Sequence, residues 1–433
     1  MSRLFGLLAL ALLMFLLVSL PAATGGAPLS MLLGFLMLAA FACGKLGNRI
    51  GLPGITGYLL AGLALGPSCF GVLKQEAIAD LTLINSFALT LIALTAGGEV
   101  NLGRIRKRLV SFLLITSTQV VLTFSGVLLL MLAALHFFHE VFSLGFKGLL
   151  AVSALFAVTA ISTSPSATIA VIVETRAKGP LSELVLGITI VKDILVIVAF
   201  ALTLGAAGQI LGQNLTDTAQ PDLLARLSWE IGGSILFGLA LGMGIIAYMR
   251  YVSAEMTLFI IGLSFCSSTA SQALHFNALL VCMVAGLVVN NLSRRGEDFI
   301  RAIEKGSLPL YVIFFAIAGA SINLEILSSG WKLVAILVAS RIFFFWLGTS
   351  AGAALAREEL KIRQNLWLGF ITQAGITLGI AVVVAENFGA LGVVFKNLVI
   401  GAVAIFELVG PVAFKFALGR AGEIPHKGRP VAR

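Results

Sequence analysis

Lys192 and Asp193 sit side by side in the run Leu181 to Leu204, about 24 residues that are otherwise almost all apolar beyond the first turn. A helix of about 20 residues crosses the ~30 Å hydrocarbon core of a bilayer. Asp193 lies eleven residues after Ser182, and at ~1.5 Å per residue its carboxylate falls near the membrane midplane. An ionisable group at that depth is costly and by default marks an ion or proton pathway. Glu407 and Arg341 stand in apolar runs of the same kind, so two acids and two bases approach the midplane from three helices. Two stretches add polar oxygen at similar depth. One is Ile161-Ser162-Thr163-Ser164-Pro165-Ser166, with a proline in mid-span; the other is Ile371-Thr372-Gln373-Ala374-Gly375. A carboxylate beside hydroxyl, amide and freed carbonyl oxygens suits a small hard cation or a proton.

The composition says what holds these residues. Of 433 residues 59% are apolar and 11% charged, with a mean hydropathy of +1.05. Soluble domains carry about 25% charged residues, so the chain reads as an all-α, polytopic membrane protein lying in a lipid bilayer. The net charge of +9 does not indicate a nucleic-acid partner, because the basic residues gather in short loops between apolar runs. Cys43, Cys69, Cys266 and Cys282 have no metal-ligand spacing, and His136, His139, His275 and His426 sit near span ends or in the tail. No metal site, cofactor or disulfide framework is expected.

Residues 1–27 combine Arg3, an uncharged apolar run and a small-residue end, which fits a signal peptide, with an extra N-terminal span as the alternative. Thirteen spans then fit the pattern: 29–48, 53–72, 79–98, 109–135, 147–174, 182–206, 228–250, 255–271, 275–292, 305–325, 330–356, 365–387 and 393–418. Alternate loops and the tail hold 21 Lys and Arg residues, and the opposite loops hold 5. By the positive-inside rule the C-terminus is cytoplasmic and the localisation is the inner (plasma) membrane. The tail, 420–433, is too short for a regulatory domain, which leaves room for a separate cytoplasmic regulator.

The two halves resemble each other. Ala96-Gly97-Gly98-Glu99-Val100-Asn101-Leu102 recurs as Ala318-Gly319-Ala320-Ser321-Ile322-Asn323-Leu324, and Ala61-Gly62-Leu63 as Ala285-Gly286-Leu287. The partners lie seven spans apart, an odd number, so they cross in opposite directions as an inverted repeat. The same relation pairs the interruption in span five with that in span twelve, and Asp193 in span six with Glu407 in span thirteen.

With these motifs the chain resembles the monovalent cation/proton antiporter superfamily, in its Kef-type and sodium/proton exchanger branch. The resemblance rests on Ile50-Gly51-Leu52-Pro53, Gly57-Tyr58-Leu59-Leu60-Ala61-Gly62 and Gly66-Pro67, the Ser162 to Pro165 break, Ala285-Gly286-Leu287, and Phe314-Phe315 followed by Gly319. It covers roughly residues 29–419, within an exchanger transmembrane domain of 28–419. It implies about 13 transmembrane helices with two crossed broken helices, a six-helix core from spans 4–6 and 11–13, a homodimer, and elevator-type alternating access. Asp193 matches the family's ion-binding aspartate, and Arg341 falls on the helix where relatives carry Lys or Arg. Lys192 departs from the pattern, since relatives usually place Asp, Asn or Gln before the aspartate. A lysine there either pairs with Glu407 or approaches Asp193 as a built-in competitor for the transported cation.

The expected activity is exchange of a monovalent cation, Na⁺ or K⁺, for protons, with no enzyme chemistry. Burial and a nearby positive charge act in opposite directions on a carboxyl group's hold on its proton, and a balance near neutrality lets proton and cation replace each other. Asp193 carries the ion, Lys192 tunes it, and Ser162, Thr163, Thr372 and Gln373 complete the oxygen shell. The alternative is an anion or solute symporter on the same scaffold, with Lys192 and Arg341 receiving the anion. An intramembrane hydrolase lacks its second mid-span Asp or a mid-span His, and a sensor disabled by Lys192 is the remaining rival.

Overall fold

The computed structural model describes residues 29–74, 76, 78, 81–99, 103, 108–138, 144–211, 223–252, 254–293, 295–322, 324, 330–373 and 375–425. The segment 1–27, read above as signal peptide or extra span, lies outside the described residues, as does most of the tail. The described chain is helical throughout. In order it forms α1 (Leu29–Arg49), α2 (Gly54–Leu65), α3 (Thr82–Glu99), α4 (Leu109–Phe137), α5 (Phe146–Ile161), α6 (Pro165–Thr175) and α7 (Pro180–Leu211). Then come α8 (Leu223–Tyr251), α9 (Met256–Ala273), α10 (Ala278–Leu292), α11 (Gly296–Ala320), α12 (Trp331–Leu355), α13 (Leu360–Asn365), a 3-10 segment (Leu366–Phe370) and α14 (Gly375–Ala421). Among the described residues eight helices are long and apolar enough to cross a membrane, and four apolar ones are shorter. Spans one to four and six to eleven each fall on one helix, span five falls on the broken pair α5 and α6, and spans twelve and thirteen share α14 on the two sides of its kink at Gly389, span twelve beginning in the 3-10 segment.

The chain divides into two compact units. The first holds residues up to Glu99 and Leu236–Asn323; the second holds Val100–Ile235 and Leu324 onward. The second therefore collects α4 to α7 and α12 to α14, the spans the resemblance assigns to a core.

In the first unit the repeated sequence motifs turn out to be helix crossings. Gly62 of α2 lies so close to α11 that a Cβ would run into the Ala316 carbonyl, and Gly319 of α11 lies equally close to the Leu59 carbonyl of α2. The same pair recurs between α3 and α10, with Gly97 on the Met283 carbonyl and Gly286 on the Leu94 carbonyl. Gly62 corresponds to Gly286 and Gly97 to Gly319 in the repeat, so one contact is built twice with the halves exchanged. Helices in lipid gain little from apolar burial, and small residues that let backbones approach are what hold them together.

In the second unit the helix breaks have local causes. Pro165 has no N–H and excludes the helical conformation from the residue before it. Accordingly Ser162 and Ser164 are extended, α6 restarts with Pro165 in its first turn, and Ser164 Oγ accepts from the Ala167 N–H at 3.3 Å as its N-cap. α14 kinks at Gly389, whose φ of 54° and ψ of −129° suit only glycine without strain. The N-terminal end of α7 is fixed from far away in sequence. The Glu423 carboxylate accepts from the backbone N–H groups of Leu181 at 2.6 Å and Ser182 at 2.9 Å, and the Lys178 N–H donates to the Glu423 carbonyl at 3.1 Å. A carboxylate on the first free N–H groups of a helix also meets the positive end of its dipole.

Two stability effects follow. Gly286→Val is expected to lower the thermal unfolding midpoint of detergent-purified protein by an amount equivalent to about 3 kcal/mol, since neither backbone can withdraw without opening the crossing. Glu423→Ala should cost roughly 1–2 kcal/mol, the usual worth of a helix N-cap, and should speed hydrogen exchange at Leu181 and Ser182.

Candidate functional site

The two interruptions meet. The Ser164 N–H donates to the Thr372 carbonyl at 3.0 Å, and Gln373 Nε2 donates to the Thr159 carbonyl at 2.6 Å, so each break ties to the other directly. Gly410 of α14 allows that helix to lie against the backbone of Thr372. Two helical segments, α5 and the 3-10 turn, end at this crossing, while α6 and α14 begin there.

Arg341 of α12 closes the crossing. Its Nε donates to the Ala160 carbonyl at 2.9 Å, Nη1 to Ile371 at 2.9 Å, and Nη2 to Ser162 at 2.7 Å and Phe370 at 3.2 Å. One guanidinium thus serves carbonyls at the C-terminal ends of both helical segments, where the partial charge is negative. It is 1% exposed and is flanked by the rings of Phe345 and Phe406, with centroids at 4.3 and 4.4 Å.

Lys192 takes neither course open to it in the sequence. Among the described residues it forms an ion pair with neither Asp193 nor Glu407. Instead its Nζ donates to Gln119 Oε1 of α4 at 2.8 Å and lies over the rings of Phe345 at 4.3 Å and Phe370 at 5.2 Å. Gln119 Nε2 in turn donates to Thr349 Oγ1 at 2.6 Å. An ammonium only donates, so the amide must present its oxygen to Lys192 and its nitrogen to the threonine. Lys192, Gln119 and Thr349 are each 0% exposed.

The acids are left differently. Asp193 Oδ1 is buried without a hydrogen-bond partner among the described residues. So are the hydroxyls of Ser162, Thr163, Thr168, Thr372 and Thr377, around the same breaks. Glu407 is partly buried and has no ion pair among the described residues; it lies one turn before Gly410, on the face of α14 that meets Thr372. The expected residues are therefore all in the second unit. Ser162, Thr163, Thr372, Gln373 and Arg341 are joined by the crossing, and Lys192 is joined to α4 and α12 through Gln119.

Gln119, Thr349, Phe345, Phe370 and Phe406 escaped the sequence reading. A signal existed for three of them: Gln119 is an amide in the midst of an apolar span, and Phe345 and Thr349 follow Arg341 at four-residue intervals along one face of α12. Phe370 and Phe406 carried none, among thirty phenylalanines.

Comparison with known proteins agrees on the fold. Residues 33–419 match the family described as sodium/hydrogen exchanger, transmembrane. The chain is 26% identical over 231 residues to the Na(+)/H(+) antiporter NhaP of Pseudomonas aeruginosa, a match that covers 52% of this chain and about half (48%) of that protein. It is 22% identical over 399 residues to the Na(+)/H(+)-K(+) antiporter GerN of Bacillus cereus, covering 89% of this chain and 95% of that one. Among solved structures, the sodium proton antiporter MjNhaP1 of Methanocaldococcus jannaschii superposes with a TM-score of 0.72 at 17% identity, over 93% of this chain and 100% of that one. At that identity the likeness is one of fold.

The Arg341 arrangement carries its own test. Arg341→Lys keeps a positive charge but cannot reach four carbonyls on two segments, and removing donors from a buried charged network costs about 3–5 kcal/mol. The variant is expected to show a markedly lower unfolding temperature in detergent and faster proteolysis at residues 162–165 and 371–375. A lysine variant as stable as the parent would contradict the role given to the guanidinium.

Proposed function

The chain belongs to the sodium/hydrogen exchanger family of membrane transporters, and on that premise we propose that it exchanges a monovalent cation, Na⁺ or K⁺, for protons at Asp193. The observation that carries the proposal is the state of the charges in the second unit. Both bases are already engaged by neutral acceptors, Lys192 by Gln119 and Arg341 by four carbonyls. Asp193 Oδ1 has no partner among the described residues and shares the second unit with the uncommitted hydroxyls of Ser162, Thr163 and Thr372. One carboxylate oxygen and several hydroxyl oxygens suit a dehydrated monovalent cation. A proton on the same carboxylate satisfies the charge equally well, and the two therefore compete.

Coupling follows from burial. An ionised Asp193 carrying neither proton nor cation is heavily penalised in a low-dielectric interior, so passage between the two sides requires one or the other. The motion is of the elevator type, the second unit carrying the site and the first serving as scaffold and homodimer interface. The exchanger domain spans 28–419 in the plasma membrane, with residues 420–433 on its cytoplasmic side. The reading of Lys192 and Arg341 as an anion receptor is the weaker one, because the donors of Arg341 are spent on backbone and the Lys192 ammonium is held by an amide and two rings.

The test is proton flux in proteoliposomes containing the purified chain and an internal pH dye, with Na⁺, K⁺ and Li⁺ added in turn under a voltage clamp. A cation-triggered pH change is expected. Asp193→Asn should reduce it at least a hundredfold, the scale set by losing the only group that exchanges, while the variant elutes and melts as the parent does. Exchange that survives in Asp193→Asn would overturn the assignment.

A further inference from the structure

We propose that Gln119 is a positioning residue for cation binding: it parks the Lys192 ammonium away from Asp193, and so sets how often the carboxylate is free to take a cation. This rests on the reading of Asp193 as the ion-binding group. Three features of the site lead to it. Lys192 and Asp193 are adjacent on α7, where side chains diverge by about 100°, yet a lysine stem is long and flexible enough to turn. The ammonium has three donors, and one hydrogen bond, to Gln119 Oε1 at 2.8 Å, is the contact that holds it by geometry. The rings of Phe345 and Phe370 attract the charge but fix no direction. The next residue in the chain, Asp193, bears the opposite charge, and its Oδ1 is buried and without a hydrogen-bond partner among the described residues.

The lysine is thus a tethered cation with two resting places, a neutral amide and a carboxylate. While it rests on Gln119, Asp193 is open to a cation from solution; if it moves to Asp193, it occupies the site that cation needs. The amide is itself held in place, since its nitrogen donates to Thr349 Oγ1 at 2.6 Å while its oxygen faces the ammonium, which can only donate. Gly348 and Gly352 bring the backbones of α4 and α12 close enough for this bond to form. Gln119 and Thr349 touch no substrate in this scheme; they act through Lys192.

The effect belongs in apparent affinity rather than in turnover. Apparent affinity scales with the fraction of protein in the binding-competent state, so a lysine lodged on Asp193 nine-tenths of the time raises the half-saturating cation concentration about tenfold.

The experiment measures cation-dependent thermal stabilisation of the purified full-length chain in detergent, titrated with NaCl and KCl against choline chloride, alongside half-saturation and maximal rate in proteoliposomes. Gln119→Leu is expected to need about tenfold more cation at little changed maximal rate. Thr349→Val, which keeps Gln119 but releases it, should shift the titration in the same direction by less, and it covers the case of a poorly folding Gln119→Leu. Removing the tethered cation in the double variant Gln119→Leu/Lys192→Met should bring half-saturation back to that of Lys192→Met alone. Parental half-saturation in both single variants would overturn the inference, as would a shift that persists without Lys192. If instead no cation stabilises the parent more than Asp193→Asn, the ion-binding reading of Asp193 fails, and this inference with it. Stabilisation lost in Asp193→Asn but unmoved in the Gln119 and Thr349 variants overturns the positioning role alone.

Discussion

A helix that stops inside a membrane leaves its last carbonyls without partners, and two that stop at one place set like partial charges against each other. The second unit depends on the solution to that problem. Arg341 donates to Ala160 and Ser162 on one side and to Phe370 and Ile371 on the other, so a single cation neutralises two helix ends and fixes their spacing. A lysine would present a compact charge, whereas the planar guanidinium offers five donors in a fixed fork. The crossing is therefore an electrostatic knot more than an apolar one. What surrounds it, the Ser164–Thr372 and Gln373–Thr159 bonds, adds direction to a junction whose charge is already balanced.

That balance decides what remains for chemistry. The four ionisable groups singled out in the second unit are two positive, Lys192 and Arg341, and two negative, Asp193 and Glu407. The positive ones are absorbed by neutral groups and aromatic faces, and among the described residues the negative ones have no ion pairs. An acid and a base in the same interior that do not pair leave the acid's electrostatic need to be met by something mobile. A proton and a monovalent cation each bring one positive charge and are in that respect interchangeable. The uncommitted hydroxyls of Ser162, Thr163 and Thr372 distinguish them, since a cation needs several oxygens and a proton needs one.

Much of this was open to reading in the sequence, for physical reasons. Hydropathy reports burial in lipid directly, so the spans emerge, and Pro165 announces its break because the ring permits no alternative. The repeat was visible because it is made of glycines at crossings, Gly62 with Gly319 and Gly286 with Gly97, where no other residue fits. The partners of the charges were not visible. Lys192 meets Gln119 seventy-three positions away, and which helix faces which at a given depth depends on rotations of a few tens of degrees that span boundaries do not fix. A buried charge in a sequence points first to an opposite charge as its partner. The structure answers these charges with an amide, carbonyls and rings, which a search for ion pairs overlooks. Glu423 was hidden for the opposite reason: a lone acid in a basic tail gives no hint that it caps α7.

One helix face joins these parts. Arg341, Phe345 and Thr349 follow at four-residue intervals on α12, spanning about 12 Å along its axis. The first holds both broken segments, the second lies against both cations at 4.3 Å, and the third anchors the amide that receives Lys192. Phe345 is 1% exposed and offers a π surface to two like charges in a dry interior. Because the three residues share one rigid backbone, the geometry of the crossing and the position of the lysine cannot be set independently. A displacement of α12 that loosens the carbonyl knot also moves the ring and the threonine, and with them the ammonium. The helix that keeps the breaks together is thereby the one that determines how the carboxylate beside them is presented.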